Sequence, residues 1–406
     1  MKILFYNHTG KVSGAERMLL LILAGLDRSR FESVVLCPRE GTLLETVRDS
    51  GFRTEACPSL EARFTLRADL LIKYLLSFWQ VIRKVRGTVI EIKPDLLHAN
   101  SIRAGLVATA ATLGLNTRVA WHLHDLLPRH PFSTAIRTFA FLFARAQMIA
   151  VSQAVADNFA GHFYSLRHRV CVILNGIQME KFKVVEGLRN STRQELRLEE
   201  SDFVVGVVGM LTPRKGQLAV VENFPSILKQ VPNAKLLIVG AAVFNKDEKY
   251  AELLKRTATQ LGIADRVHFL GTRDDIPALL QSLDLLVVNS SVEPFGLVLL
   301  EAMACGTPVL AAISGGIPEL IQHSRNGWLI EYGDNKALSG AIVQLSQSLE
   351  TRLQIAESGR RLVLETFSSS RYLKQLEQFY EANTNSLIAH NQASSATQPE
   401  GAKLAC

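Results

Sequence analysis

The chain has 406 residues, of which 48% are hydrophobic and 20% charged, and its formal net charge is +7 at pH 7. This length predicts two or three domains of about 150 residues each, and the composition is sufficient for large buried cores. No apolar run reaches the ~18 residues of a membrane span, and the five scattered cysteines lack any metal-binding spacing, which excludes an integral membrane protein and a cysteine metal site.

Short apolar runs alternate with helix-length stretches through the first half of the chain. These strand-like runs lie at 2–7, 34–38, 96–100, 118–122, 148–152 and 169–174. Strands that alternate with helices predict βαβ units in a parallel sheet. The amino-terminal run, MKILFYNHTG, is too short for a signal peptide and is interpreted as the first strand. Scattered cysteines favour a reducing, cytoplasmic compartment.

Positive charge is concentrated in this first half. Residues 1–190 contain 25 Lys+Arg against 15 Asp+Glu, whereas the remainder contains 20 against 23. This imbalance indicates an anionic partner for the first half, with abundant surface arginine as the alternative. Nucleic acid is not expected, because the chain has no helix-turn-helix, zinc-module or aromatic RNA-binding signature. A membrane surface or a phosphate-bearing acceptor fits better.

One stretch of the first half combines basic and apolar residues. Residues 66–86 place Lys73, Arg83, Lys84 and Arg86 beside several leucines and aromatic residues. The pattern is typical of a helix in peripheral contact with an anionic membrane, at its inner face if the protein is cytoplasmic. The alternative is a buried amphipathic helix with a solvated basic edge.

The second half repeats the alternation of strands and helices. Strand-like runs lie at 203–210, 234–240, 266–270, 285–289, 308–312 and 328–330. The change from one half to the other is expected in the polar segment between Asn175-Gly176 and about Ser201. A final helix is predicted at 369–382, and the Ala/Ser/Thr/Gln/Asn-rich residues beyond Asn383 are predicted to be disordered.

The most informative stretch is 289–320, NSSVEPFGLVLLEAMACGTPVLAAISGGIPEL. It is the end of a strand, then a loop, a helix, a second strand, a Gly-rich loop and the start of another helix. Glycine and proline lie where tight turns expose backbone N–H groups at a helix start, an arrangement that suits a diphosphate. Glu293 lies before the first helix and Glu301 on its second turn, so one can face a sugar and the other a ribose. The alternative is two solvated glutamates beside ordinary α/β turns.

The two glutamates flank Pro-Phe-Gly and precede Ala-Cys-Gly-Thr-Pro-Val and Gly-Gly-x-Pro-Glu. This combination resembles the E-x7-E signature of retaining glycosyltransferases with the GT-B fold, specifically glycosyltransferase family 4 (glycosyl transferases group 1). The resemblance implies an α/β GT-B fold, in which two tandem Rossmann-like domains with parallel sheets face a central cleft. It implies an acceptor-side domain at 1–185, a nucleotide-sugar-binding domain at 186–368, a helix at 369–383 that crosses back to the first domain, and a disordered tail at 384–406.

The same resemblance extends to three further segments. Ser13-Gly14-Ala15-Glu16 matches the family's Gly-Gly-x-Glu loop, with Ser13 in place of the first glycine, and implies that Gly14 lets backbone approach the donor diphosphate. His124 matches the active-site histidine that contacts the transferred sugar, with His122 as the alternative. Lys215, in Arg214-Lys215-Gly216, matches the basic loop that neutralises the leaving diphosphate.

The resemblance therefore implies a set of site residues. The expected catalytic residues are Glu293 at the sugar ring, His124 at the C6 side of the sugar, and Lys215. The expected donor-binding residues are Gly14, Arg214, Lys215, Phe295, Gly296, Leu297 and Glu301, the last of these on the ribose hydroxyls.

One position departs from the family pattern. Met210 stands where the family has an arginine that holds the donor phosphates, and methionine offers them neither charge nor a hydrogen bond. Arg214 is expected to compensate. The alternatives are weak donor affinity or a loss of catalysis.

The expected activity is retaining transfer of a hexosyl group from a UDP- or GDP-linked sugar to a glycan, lipid-linked or polysaccharide-precursor acceptor. Because the chain has no D-x-D carboxylate pair, metal-independent transfer without a cofactor is expected. The other readings are a catalytically weak or silent nucleotide-sugar-binding protein and a GT-B nucleotide-sugar epimerase.

Overall fold

The computed structural model describes residues 1–60, 68–143, 147–242 and 245–395. Contacts within the chain divide it into two compact units. The first comprises Met1–Val151, Ala156–Ile173 and Tyr372–Cys406, and the second comprises Ser152–Val155 and Leu174–Arg371. Each unit is built on one parallel β-sheet with helices, as the alternating sequence pattern predicts.

The first unit contains a seven-stranded sheet in the order β3-β2-β1-β4-β5-β6-β7. Its strands are β1 (Lys2–Tyr6), β2 (Glu32–Pro38), β3 (Arg53–Cys57), β4 (Leu96–Ala99), β5 (Arg118–Leu123), β6 (Gln147–Ala150) and β7 (Val170–Val172). The helices along this part of the chain are α1 (Gly14–Gly25), α2 (Leu43–Asp49), α3 (Ala68–Ile92), α4 (Ile102–Ala111), α5 (Pro131–Phe143), α6 (Gln153–Ala160) and α7 (Tyr164–Arg167).

Both faces of this sheet are covered, which explains its nearly all-apolar central strands. On one face, Trp121 donates from its indole N–H to the hydroxyl of Thr109 on α4, 3.0 Å away. Helix α4 lies so close there that a Cβ on Gly105 would meet the Trp121 ring at 2.2 Å. Successive strand residues point to opposite faces, so His122 lies on the other face, together with His98 and Phe5.

The second unit contains a six-stranded sheet in the order β10-β9-β8-β11-β12-β13. Its strands are β8 (Phe203–Val208), β9 (Ala234–Val239), β10 (Val267–Gly271), β11 (Leu285–Val288), β12 (Val309–Ile313) and β13 (Trp328–Glu331). The helices along this part of the chain are α8 (Leu188–Glu195), α9 (Gln217–Leu228), α10 (Asn245–Gln260), α11 (Ile276–Ser282), α12 (Leu297–Ala304), α13 (Ile317–Leu320), α14 (Asn335–Gln347) and α15 (Leu349–Thr366). The last helix, α16 (Ser369–Ser395), belongs to the first unit from Tyr372 onwards.

The core of the second unit lies between the sheet and α9, α10 and α14. Val205, Ile238, Leu310 and Phe224 are among its fully or almost fully buried residues. Replacing one such large side chain by alanine typically costs about 2–5 kcal/mol, so this core fixes the positions at which the strands end.

Each of the twelve strand-like runs predicted from the sequence corresponds to a strand, and one strand was missed. β3 has the sequence Arg-Thr-Glu-Ala-Cys and lies at the edge of the first sheet, where only Cys57 is fully buried. An edge strand needs no continuous apolar run, which is why the hydrophobic pattern did not reveal it.

Two boundaries differ from those expected. The units divide after Ile173, ahead of the division placed between 185 and 186. Ile177 already belongs to the second unit, because its N–H donates to Phe367 O at 2.9 Å and its carbonyl accepts the N–H of Ser369 at 2.9 Å. Helix α16 extends to Ser395, into the tail predicted to be disordered from 384, and it contains no Gly or Pro that would end it. Residues 396–406 of that tail lie outside the described part of the chain.

Candidate functional site

Each sheet has one point at which its strand order reverses, and ligands of open α/β sheets bind at the carboxyl ends of the strands there. In the second unit this point lies between β8 and β11, because the chain proceeds from β8 to β9 on one side and later to β11 on the other. In the first unit it lies between β1 and β4. Gly14 follows β1, Lys215 follows β8 and Glu293 follows β11, whereas His124 follows β5, the neighbour of β4.

The loops after β8 and β11 are fastened to each other. Ser291 donates its backbone N–H to Arg214 O at 2.8 Å. Gly216 has φ +67°, and a Cβ there would lie 2.0 Å from the carbonyl oxygen of Asn289. Only glycine combines this left-handed conformation with such a close approach. The 3-10 turn Pro213–Lys215 is therefore held directly against the end of β11.

Lys215 and Glu293 form the centre of the site in the second unit. The ammonium of Lys215 donates to Glu293 Oε2 at 2.6 Å, and Ser290 donates its hydroxyl to the same oxygen at 3.1 Å. Their side chains are only 18% and 10% exposed. Little water reaches the pair, so each charge acts on its surroundings with less screening than at an open surface. A phosphate that approached Lys215 would meet a cation already held in place.

The backbone around Glu293 is also fixed. Its carbonyl oxygen accepts the N–H of Gly316, from the Gly-rich loop after β12, at 2.9 Å. Phe295 is buried and its ring packs edge-on against Phe367, with centroids 6.3 Å apart. The expected contact of Phe295 with a donor can therefore come only from its backbone.

Helix α12 begins next to this ion pair. Gly296 precedes it with φ +100°, and Leu297 is its first residue. The first N–H groups of a helix have no carbonyl one turn earlier to bond with, and they carry the positive end of the helix dipole. Glu301 lies on the second turn and is partly buried. The loop, the helix start and the two glutamates therefore belong to one continuous element, as the sequence predicts.

Arg214 and Met210 lie on the same loop as Lys215. The backbone carbonyl of Met210 accepts from Gln217 Nε2 at 2.8 Å, and Gln217 is almost fully buried. Both Arg214 and Met210 are partly exposed. The methionine side chain is thus located on a well-supported loop where it supplies no charge.

In the first unit, residues after β1, β4 and β5 form a chain of buried polar contacts. Asn100 donates from Nδ2 to Asn7 Oδ1 at 3.0 Å, and His124 Nε2 lies 3.1 Å from Asn100 Oδ1. Asn7 in turn donates to Glu16 Oε1 at 3.1 Å. Burial lowers the pKa of His124 to about 3, so its imidazole is neutral at pH 7.

Gly14 is the first residue of α1 and is preceded by a capping box. Glu16 Oε2 accepts the backbone N–H of Ser13 at 2.9 Å and the Ser13 hydroxyl at 2.5 Å. The serine that replaces the family's first glycine is thus the N-cap of the helix. Nothing lies within 4 Å of the position that a Cβ on Gly14 would occupy. The backbone at Gly14 is therefore open to a ligand.

His122, the alternative to His124, is fully buried and lies on the same face of the sheet as His98 and Phe5. Its ring contacts that of His124, with centroids 3.9 Å apart and the ring planes tilted by 39°. Neither of its ring nitrogens has a hydrogen-bond partner in the described structure. Burial, together with the charges of His124 and His98, lowers the pKa of His122 well below its usual value. His122 supports the ring of His124 and has no route to solvent.

The structure places the predicted site residues in two groups, one in each unit, and shows polar partners that the sequence analysis did not identify. Lys215, Arg214, Glu293, Phe295, Gly296, Leu297 and Glu301 lie at the end of the second sheet, whereas Gly14 and His124 lie at the end of the first. Ser290, Asn7 and Asn100 were not identified. Asn7 and Asn100 come directly after a buried strand and Ser290 is the second residue after one, and this placement is the signal that could have found them.

Two negative findings concern the described residues alone. They contain no group of three or more His, Cys, Asp or Glu side chains that could hold a metal ion. None of the helices in the described ranges is long and apolar enough to cross a bilayer.

Two family models match the chain, one in each half. Residues 12–181 match the model described as Glycosyltransferase Family 4, and residues 189–362 match the model described as Glycosyl transferases group 1. The two matches contain the Gly14 loop and His124 in the first case, and Lys215 and both glutamates in the second.

Solved and curated proteins resemble the chain over different lengths. HepE of Anabaena, solved in complex with UDP-glucose, is 30% identical with a TM-score of 0.82, over 94% of this chain and 100% of that one. The UDP-Gal:alpha-D-GlcNAc-diphosphoundecaprenol alpha-1,3-galactosyltransferase of Escherichia coli is 24% identical over 91% of this chain and 94% of its own length. The N-acetyl-alpha-D-glucosaminyl L-malate synthase of Bacillus anthracis is 37% identical, but the match spans only 46% of this chain and 48% of that relative.

Proposed function

The chain belongs to the group 1 glycosyltransferases of family 4, and we propose that it is a retaining hexosyltransferase that uses a nucleotide-diphosphate sugar. The acceptor we propose is a glycan, a lipid-linked sugar or a polysaccharide precursor. The donor we propose first is a UDP-linked hexose, since HepE was solved with UDP-glucose and resembles this chain over its full length. A GDP-linked hexose is the second choice.

The observation that carries this proposal is the 2.6 Å contact between Lys215 and Glu293 at the strand-order reversal of the second sheet. In the proposed reaction, the Lys215 ammonium exchanges its contact with the carboxylate for one with the leaving diphosphate, and it stabilises the negative charge that builds there. Glu293 is then left to stabilise the positive charge that develops on the sugar ring. One ion pair therefore serves both ends of the bond that breaks.

We propose that no divalent metal takes part. The supporting argument is that Lys215 and the start of α12 together supply the positive potential that a metal would supply beneath the donor phosphates. Glu301 is assigned to the ribose hydroxyls, and the backbone of Phe295, Gly296 and Leu297 to the phosphates. In the first unit, Gly14 and His124 are assigned to the diphosphate and the transferred sugar.

We further propose that the first unit contacts an anionic membrane surface at the cytoplasmic face through α3. Ile72, Leu75, Leu76 and Trp79 follow helical spacing and are 59%, 55%, 56% and 55% exposed. We call these four residues the α3 ridge. A helix with its whole apolar face buried would not leave four large apolar side chains open to solvent.

Basic residues border the α3 ridge. Lys73 and Arg83 are exposed, and the Arg83 guanidinium lies 4.6 Å from the centre of the Trp79 ring. Arg86, which the sequence analysis placed among the basic residues of this helix, donates to the carbonyls of Ala111 and Leu113 at 2.9 and 2.8 Å. It therefore holds the end of α4 and contributes less to the surface. A basic border beside apolar side chains is the chemistry that favours anionic lipid.

Met210 supports a second candidate function. Without the family's arginine, the protein would bind a nucleotide sugar and transfer it weakly or not at all. An epimerase with the same donor site is the third candidate. Both are compatible with the Lys215–Glu293 pair, because that pair also suits simple donor binding.

The test is an assay of a panel of UDP- and GDP-sugars with candidate acceptors, with and without EDTA. A retaining transferase releases nucleoside diphosphate and forms a product with the donor's anomeric configuration, which proton NMR coupling constants report. EDTA should leave the rate unchanged. Release without product, product of inverted configuration, or isomerised donor alone would each contradict the proposal.

A further inference from the structure

The contacts of Asn7 fix which way its side-chain amide points. One terminal atom of this amide lies 2.5 Å from the backbone carbonyl oxygen of Thr9 and 3.1 Å from the carboxylate of Glu16. A carbonyl oxygen can only accept a hydrogen bond, so this atom must be the NH₂ nitrogen. The other terminal atom, Oδ1, therefore faces Asn100 as an acceptor.

Asn100 is oriented in the same way by a second backbone carbonyl. Its Nδ2 donates to Ala15 O at 3.2 Å and to Asn7 Oδ1 at 3.0 Å. Both partners can only accept, so neither contact survives a flip of the amide. The atom that Asn100 presents to His124 is consequently the oxygen Oδ1.

His124 must then supply the proton of the contact with Asn100. Its Nε2 lies 3.1 Å from Asn100 Oδ1, which has no proton to give. Burial lowers the pKa of His124 to about 3, so one ring nitrogen is protonated at neutral pH and the other is not. With the proton on Nε2, the lone pair is on Nδ1, which has no hydrogen-bond partner within the described part of the chain.

We infer that the backbone carbonyls of Thr9 and Ala15 orient the amides of Asn7 and Asn100, and that these amides hold His124 as the Nε2–H tautomer. We call this chain of contacts the relay. Its Nδ1 is then a hydrogen-bond acceptor. The sugar group that His124 recognises must accordingly be a donor, which means a hydroxyl. This last step rests on the proposed function, whereas the tautomer does not. Asn7 and Asn100 are positioning residues that act through the histidine.

The tautomer can be measured without any substrate. In protein labelled with ¹⁵N-histidine, a multiple-bond ¹H–¹⁵N correlation spectrum at pH 7 distinguishes protonated from unprotonated ring nitrogens. The His124→Gln variant identifies the signals among the ten histidines. We expect a protonated Nε2 and an unprotonated Nδ1 for His124. A protonated Nδ1, or a doubly protonated ring at pH 7, would overturn the relay.

Variants of Asn100 test the mechanism of positioning. Asn100→Asp places a carboxylate against Nε2, which favours the imidazolium and raises the pKa of His124. An imidazolium has no lone pair on Nδ1, so the transfer rate of Asn100→Asp should be low at acidic pH and rise as the histidine loses its proton. Asn100→Leu should lower kcat about 5- to 10-fold at every pH, because the ring is no longer held. A role confined to folding would give no pH dependence in Asn100→Asp.

The matched control is Asn158→Leu. Asn158 is another asparagine of the first unit, partly buried where Asn100 is fully buried, and its amide bonds the N–H and carbonyl of Leu127 at 2.7 and 3.2 Å. Its loss should lower thermal stability and leave the His124 ring signals unchanged. A shift of those signals as large as in Asn100→Leu would show that the effect is not specific to the relay, and would overturn it.

A series of donors, each with one sugar hydroxyl replaced by hydrogen, tests the acceptor role of Nδ1. The native protein should lose about tenfold in kcat/KM with one member of the series. His124→Phe should not discriminate against that member. Equal discrimination by both proteins would overturn the acceptor role. Failure of the proposed function would look different, since no donor would be transferred while the tautomer could still be read.

Discussion

Lys215 and Glu293 lie 78 residues apart in the chain, yet their side chains meet at 2.6 Å. The backbone, not the freedom of the two side chains, brings them together. The turn that carries Lys215 is bonded to the loop of Glu293 through Arg214 O and Ser291, and Gly216 is pressed against the end of β11. Because the cation and the carboxylate are held by the backbone, little reorganisation is needed when a diphosphate takes the place of one partner.

The first prediction separates the two glutamates. Glu293→Gln keeps the size of the side chain and its contact with Ser290 but removes the charge, so transfer should fall by at least about 100-fold in a protein that still folds, with a lower thermal midpoint because Lys215 loses its partner. Glu301→Gln should mainly weaken donor binding. Initial-rate kinetics and calorimetric titration with nucleoside diphosphate measure the two effects. Near-normal turnover in folded Glu293→Gln would remove Glu293 from the catalytic residues.

The sequence predicted every described strand except β3, because each of the others is a short apolar run bounded by polar residues or glycine. The candidate site residues Lys215, Glu293 and Glu301 could be proposed from the sequence because they lie in motifs with fixed spacing. It did not predict that Lys215 and Glu293 form an ion pair, because the contact depends on β8 and β11 being neighbours. Strand order is a property of the whole sheet and leaves no local pattern.

The polar relay was missed, whereas α3 was predicted with two alternatives, a membrane-facing helix or a buried one, that the sequence did not separate. Asn7 and Asn100 looked like ordinary ends of strands, and only the pairing of β1 with β4 brings them together. In α3, Leu75 and Val81 are equally apolar, yet the first is exposed and the second is buried. Hydrophobic periodicity shows that a helix has an apolar face but not what covers it.

The second prediction concerns Gly14. Alanine is tolerated there by the fold, because its Cβ would meet no atom within 4 Å and the position begins a helix. Gly14→Ala should therefore be as stable as the native protein, or slightly more stable. If the backbone at Gly14 approaches the diphosphate, the same variant should bind the donor several-fold more weakly. Gly87→Ala on α3, where a Cβ also meets nothing, is the control. Unchanged donor affinity in Gly14→Ala would exclude the close approach.

The third prediction concerns acid stability. Burial lowers the pKa of His98 and His124 to about 3, of His8 to about 4, and of His122 well below its usual value. In the unfolded chain these groups take up protons below about pH 6.5, whereas in the folded state they do not. Folding stability should therefore be full above pH 6.5 and fall as pH drops towards 4, by about 1.4 kcal/mol per pH unit for each such histidine.

His122→Phe isolates one of these contributions. Its two ring nitrogens have no partner among the described residues, so phenylalanine removes no hydrogen bond. Urea unfolding between pH 4 and pH 7.5 should give a shallower loss of stability for His122→Phe than for the native protein. Equal slopes would mean that His122 is not neutral in the folded state.

The fourth prediction concerns the α3 ridge. Replacing Leu75 and Leu76 by serine should abolish sedimentation with vesicles that contain anionic phosphatidylserine, and high salt should weaken the binding of the native protein. The matched control is the double replacement of Leu349 and Leu353 on α15 by serine, since both leucines lie on a helix of the second unit and are 60% exposed. No binding by the native protein at low salt, or equal loss in the control, would contradict a membrane role for the α3 ridge.

The last prediction concerns the arginine that is absent at Met210. If Arg214 provides the missing cation, Arg214→Ala should weaken the binding of nucleoside diphosphate as strongly as Lys215→Ala does. Loss of one charge-assisted contact to phosphate is worth about 1.5–3 kcal/mol, or roughly 10- to 150-fold in affinity. Met210 and Arg214 lie on the loop after β8, and the backbone carbonyl of each accepts a hydrogen bond, from Gln217 and Ser291 respectively. Met210→Arg should therefore partly restore the affinity of Arg214→Ala, because both guanidinium groups would address the same anion. Calorimetric titration of the four proteins measures this. A silent Arg214→Ala would leave Lys215 as the main side-chain cation for the diphosphate and would favour the weak-donor or binding-only function.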